Sequence, residues 1–136
     1  MAFLFRLLVA LVILLALPFH AIVPLVKIIG LFDDRVYEML VGADPLVTAY
    51  VDAAWLPALL LLASTVMLAG AIVGVLKGER WAANLVFLTA VADAASIYFA
   101  NSMGYTDLPF TILHIVGLGA GIVILWMVVR AVTKPA

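Results

Sequence analysis

Of the chain's 136 residues 68% are apolar, and only seven basic and eight acidic side chains give a net charge of −1. A soluble domain carries about 25% charged and about 45–50% apolar residues. The composition therefore excludes an ordinary water-soluble domain, a disordered chain and a basic nucleic-acid binder, and the absence of cysteine excludes disulfide frameworks, thiolate metal centres and cysteine nucleophiles.

A helix needs roughly 20 apolar residues to cross a hydrocarbon core about 30 Å thick. Four stretches meet that length, at about 7–26, 54–76, 81–100 and 110–129. They are continuously apolar rather than alternating, which predicts helices and not barrel strands. The first stretch follows Arg6 as a signal peptide would. Phe19-His20-Ala21 offers no small-residue cleavage pattern, however, and the apolar run continues to Val26, so it reads as an uncleaved membrane helix. Residues 27–53 form an outer cap. Asp33 can cap a short helix through Val41 that carries Val36, Tyr37, Leu40 and Val41. Asp44-Pro45 reads as another helix start, followed by Leu46, Val47, Tyr50, Val51, Ala54 and Trp55 at helical spacing. Pro57 is the expected place for a kink in the second span. The predicted fold is one all-α domain over 1–136, an integral membrane four-helix bundle with a short helical cap between spans one and two.

Basic residues in short loops set orientation. Arg6, Lys77, Arg80, Arg130 and Lys134 lie on one side, and Lys27 and Arg35 on the other. The balance of five to two places both termini in the cytoplasm.

Ionisable groups are costly in a bilayer and each needs a reason. His20, Asp93 and His114 come from three spans, at depths of about 9, 10 and 6 Å from the outer ends by the helical rise. Thr89 and Ser96 share a face with Asp93, Thr111, Gly117 and Gly121 share one with His114, and His20 lies between Pro18 and Pro24. One reading is structural: Asp93 pairs with a histidine or with a Ser or Thr of a neighbouring helix and fixes the bundle. The other makes His20, Asp93, His114, Thr89 and Ser96 a ligand or proton site. Two histidines at similar depth suit a b-type haem, with room for a flat ring beside Gly117 and Gly121. Two histidines and one carboxylate suit iron or zinc, though no HxxxH-type spacing supports that. A quinone carbonyl is a further candidate ligand.

No GxSxG, GxxxxGK[ST] or HExxH motif is present, which weighs against an enzyme. The run Gly-Leu-Gly-Ala-Gly at 117–121 lies inside a span without a preceding strand, so close helix packing through Gly117 and Gly121 is the expected role, with Gly70 and Gly74 as the matching surface. Trp55, Trp81 and Trp126 lie near span ends, where aromatic residues anchor helices at the interface.

Arg6 in FRLLVAL, Lys27 in PLVKII, and the hairpin AGAIVGVLKGERWAANLVFL together make residues 3–100 similar to the DoxX-like group of small four-helix bacterial membrane proteins. The resemblance implies a setting in redox or quinone-linked membrane complexes and assigns no catalytic residue. Where it leads one to expect an acidic residue midway along the second span, this chain has Ser64, Thr65 and Val66. Three functions follow for testing. The first is a non-catalytic membrane subunit or accessory protein that packs against like chains or partner membrane subunits. The second is a haem- or quinone-binding redox subunit using His20, Asp93 and His114. The third is a small proton-coupled transporter with Asp93 as the titrating group.

Overall fold

The computed structural model describes residues 1–41 and 55–134, with the backbone alone described at 36, 37, 40 and 41. The expected helix start at Asp44-Pro45 and the apolar repeat through Ala54 lie outside the described residues. Four long helices, α1 (Ala2–Ile29), α3 (Trp55–Lys77), α4 (Trp81–Ser102) and α5 (Leu108–Val132), form the bundle, and a short helix α2 (Asp34–Val41) follows α1. The long helices have 28, 23, 22 and 25 residues. At 1.5 Å per residue they extend about 33–42 Å, and each is long and apolar enough to cross a membrane.

The ends of the helices follow from local chemistry. Asp33 caps α2 by accepting from the Arg35 amide at 2.9 Å. Asp107 caps α5 by accepting from the Phe110 amide at 2.7 Å, with Pro109 in the first turn, where its missing N–H breaks no helical bond. Pro18 and Pro24 lie inside α1, which runs through both. Each proline lacks an amide, so the carbonyls of Leu14 and His20 lose their helical donor. Pro57 is buried in the first turn of the described part of α3, and the helix continues from there to Lys77.

α3 lies between α1 and α4, and α5 packs along α4 with a lighter contact to α1. The tightest approach is between α3 and α4. A Cβ on Gly70 would come within 2.9 Å of Leu85, and one on Gly74 within 2.8 Å of the Ala82 Cβ. Both glycines thus let the two backbones close, as small residues do where lipid supplies no hydrophobic push between helices. Gly70 and Gly74 meet α4 and not the glycines of α5. Among the described residues, a Cβ on Gly117, Gly119 or Gly121 would meet nothing within 4 Å, so none of these three glycines is required by a close helix contact there.

The turn between α3 and α4 ends in a glycine cap. Gly78 has φ +75°, its amide donates to Val75 C=O at 2.9 Å, and the Glu79 amide donates to Gly74 C=O at 2.8 Å. The Arg6 guanidinium lies against Gly78 and would stand 2.5 Å from an added Cβ. Arg6 Nε–H also donates to Val132 C=O at 3.0 Å, and the Lys134 amide donates to Gly78 C=O at 3.0 Å. Arg6 and the Lys134 backbone thereby join α1, the α3–α4 turn and the end of α5, with both termini at the same end of the bundle.

Two apolar clusters fill the interior. One holds Val9, Ala10 and Ile13 of α1, Leu68, Ala71 and Val75 of α3, Ala82, Ala83 and Val86 of α4, and Val129 of α5. The other holds Val23, Val26, Ala58, Ile97 and Ala100. On α1, α3 and α4 the residues between these clusters include His20, Ser64 and Asp93, so the buried polar groups form a layer between two apolar ones.

The packing predicts opposite outcomes at two glycines. Gly74→Ala should lower stability by about 1–3 kcal/mol through overpacking against Ala82. Gly117→Ala should leave it unchanged or raise it by about 0.5–1 kcal/mol through helix propensity. Unfolding of the purified protein by SDS titration from detergent micelles measures both.

Candidate functional site

Asp93 is buried in the middle of α4 with 2% of its surface exposed. A lone carboxylate there would be prohibitively desolvated, and two neighbouring helices supply partners. Ser64 Oγ of α3 donates to Asp93 Oδ1 at 2.6 Å. His20 Nε2 of α1 lies 2.7 Å from Asp93 Oδ2. The other ring nitrogen, Nδ1, points back along α1 to Ala16 C=O at 3.0 Å. One carboxylate therefore joins α1, α3 and α4.

The proton count in this chain of bonds is fixed by its ends. A carbonyl oxygen only accepts, so His20 Nδ1 carries a proton that it donates to Ala16. One further proton lies between Nε2 and Oδ2. Whether it sits nearer nitrogen or oxygen, the pair as a whole is neutral, either as imidazolium and carboxylate or as imidazole and carboxylic acid. Neutrality is what a low-dielectric interior demands, and Ser64 satisfies the second carboxylate oxygen. Among the described residues no buried side-chain nitrogen or oxygen lacks a hydrogen-bond partner.

The other expected site residues are placed apart from this pair or beside it. Thr89 is buried one turn below Asp93, and its hydroxyl donates to Leu85 C=O within α4 at 2.9 Å. Ser96 is buried one turn above, and its hydroxyl donates across to Pro57 C=O of α3 at 2.9 Å. His114 does not join: its Nδ1–H donates to Phe110 C=O at 2.9 Å, and its ring stacks on Phe110 with centroids 3.8 Å apart. A haem between His20 and His114 needs one unengaged nitrogen on each ring, and His20 has none. The two histidines do not fit that group. Among the described residues, no cluster of three or more His, Cys, Asp or Glu side chains could hold a metal ion.

Gly117 and Gly121 share a cavity with His20. With Val12, Ala16, His20, Thr89 and neighbouring leucines they line an apolar cavity of about 260 Å³ between α1 and the remaining helices. The member of the cluster least marked in the sequence is Ser64. It sits midway along α3, and its signal is only that it is a hydroxyl at the depth of an intramembrane carboxylate.

All four long helices present apolar side chains outward, among them Leu15 and Phe19 of α1, Val66 of α3, Phe87 and Val91 of α4, and Leu113 and Ile124 of α5. Water would not tolerate so continuous an apolar surface, and a bilayer requires it. The chain is an integral membrane protein with four spans. No family model, curated protein or solved structure matches the chain.

The two bonds to Asp93 should differ in strength. Ser64→Ala should cost about 0.6–1.7 kcal/mol, the range of interhelical hydrogen bonds in bilayers. Asp93→Ala should cost about 3–5 kcal/mol, because it strands a buried partner. Adding Ser64→Ala to Asp93→Ala should cost almost nothing more. Additive losses in the SDS unfolding series would mean that the two side chains are not coupled.

Proposed function

We propose that this chain is a non-catalytic membrane subunit or accessory protein, with its termini in the cytoplasm of a bacterial inner membrane, that docks through α5 against a second copy or a larger membrane complex. The observation that carries this reading is how little of α5 the chain itself covers. Only 6% of the residues in its apolar stretch are buried, against 44% in α4, and among the described residues nothing lies within 4 Å of where a Cβ on the exposed Gly117 or Gly121 would stand. A glycine-rich helix face lets another backbone approach closely, and such approach drives association in lipid. The polar cluster agrees with a structural role, since His20, Asp93 and Ser64 satisfy one another and none of their polar atoms is left over for a substrate. Five basic residues at the end with both termini, against Lys27 and Arg35 at the other, support the orientation. The resemblance to DoxX-like proteins favours a redox or quinone-linked complex as the partner.

The test uses photocrosslinking side chains placed singly at Val116, Ala120 and Ile124 of α5 and, as a control, at Leu15 of α1. In native membranes the α5 positions should yield a crosslinked species of defined mass and the control should not. A monomer at every α5 position would overturn the reading.

The cavity beside His20 favours a second reading, in which a small lipid-soluble ligand such as a quinone enters there and the His20–Asp93 pair exchanges its shared proton, as a redox subunit or a proton-coupled carrier would require. On this reading Asp93→Asn abolishes pH-linked ligand binding or transport in proteoliposomes. Unchanged behaviour of that variant excludes a role for the pair in proton exchange.

A further inference from the structure

The basic end of the bundle holds a cleft that neither the polar cluster nor the docking face uses. It opens where the start of α4 meets the end of α5 and encloses about 650 Å³, within the roughly 300–1,000 Å³ typical of small-molecule sites. Arg80, Arg130 and Lys134 line it against a single carboxylate, Glu79. Among the described residues none of the three cations is in a salt bridge. The Arg130 guanidinium is held over the Trp126 ring at 4.8 Å from its centroid, which fixes its direction while leaving its N–H donors available. Trp81 and Trp126 form the cleft's aromatic walls, at the level where interfacial tryptophans lie.

Trp126 also lines an apolar hollow of about 200 Å³ between α4 and α5, together with Phe87, Ala90 and Gly119. Ala90, Gly119 and Ile122 are shared with a second hollow of about 210 Å³ that continues to Ala94 and Ile115. The small side chains of Ala90 and Ala94 and the bare Gly119 create this furrow. From Trp126 to Ile115 it runs about 16 Å along α5 by the helical rise, close to the depth of one leaflet of a bilayer about 30 Å thick.

A cationic pocket that shares its Trp126 wall with an apolar furrow one leaflet deep has the shape and charge of a single anionic phospholipid. We propose that the α4–α5 face binds one such lipid, with its phosphate between Arg80, Arg130 and Lys134 and an acyl chain along Ala90, Gly119 and Ile122. Basic pockets between membrane helices recognise anionic headgroups through the same chemistry. A free phosphate would use the cleft alone, and the furrow is what selects a lipid.

The experiment is native mass spectrometry of the detergent-purified full chain after incubation with an equimolar mixture of phosphatidylglycerol and phosphatidylcholine. The wild type should retain one phosphatidylglycerol with a preference of about tenfold or more, and 10-fold excess inorganic phosphate should not displace it. Arg80→Gln with Arg130→Gln should bring the preference near parity, while Arg130→Lys should keep most of it. Lys134→Gln, beyond the last helix, should weaken the preference without risk to folding. Gly119→Leu fills the furrow at a point where, among the described residues, a Cβ meets nothing within 4 Å, and it should reduce retention with no change of charge. Arg35→Gln at the opposite end should change nothing. Equal retention of the two lipids by the wild type would overturn the proposal. So would an equal loss in Arg35→Gln, or wild-type retention in Gly119→Leu. Displacement by inorganic phosphate would also overturn it and assign the cleft to a free phosphate.

Discussion

A carboxylate in the middle of a membrane helix constrains everything around it. Asp93 cannot remain there as an isolated charge, so the fold must bring it a proton or a cation and enough donors to satisfy both oxygens. His20 and Ser64 do this from two other helices, at 2.7 and 2.6 Å. Because lipid is as apolar as leucine, burying side chains gives α1, α3 and α4 little reason to prefer one rotation over another. The polar layer supplies that preference: any rotation that withdrew His20 or Ser64 would leave a charge or a lone pair unmet. The apolar clusters above and below it then pack in the register that the layer sets.

Close packing and the polar layer support each other. Gly70 and Gly74 bring α3 against α4 on the side of the polar layer toward the termini, and Ser96 binds the Pro57 carbonyl on the other side. At the end with both termini Arg6 binds the α3–α4 turn and the last turn of α5. α5 is the exception: among the described residues it shares no hydrogen bond with the polar layer, and where it meets α4 the small Gly119, Ala90 and Ala94 leave hollows. Those hollows give the molecule a furrow that shares Trp126 with the basic cleft, and a small apolar cavity lies beside His20.

Most of the fold is legible in the sequence because four stretches of about 20 apolar residues admit one physical solution in a bilayer. The fold class follows from that alone, and an even number of spans puts both termini at one end. The candidate site is legible only in part. Asp93 announces itself as a carboxylate at membrane depth, and a histidine or a hydroxyl as its partner follows from the need to satisfy it. Depth, however, constrains only one coordinate. His20 and His114 lie at similar depths, and helix rotation, which periodicity fixes weakly on an all-apolar helix, decides which one reaches Asp93. The same ambiguity hid that Gly117 and Gly121 share a cavity with His20. It also paired Gly70 and Gly74 with α5 when they meet α4. Ser64 was hard to single out because serine in a membrane helix usually bonds its own backbone, as Thr65 does with Leu61 C=O here.

His20 and Asp93 share one proton while Nδ1 of the same ring donates to Ala16 C=O. The most direct measurement is the ¹⁵N NMR spectrum of ring-labelled histidine in the protein reconstituted in nanodiscs. One histidine should show a protonated Nδ1 and a strongly deshielded proton between Nε2 and its acceptor, and that signal should persist in His114→Ala and vanish in Asp93→Asn. A His20 ring with an unprotonated Nδ1, or a spectrum that Asp93→Asn leaves unchanged, would contradict the account.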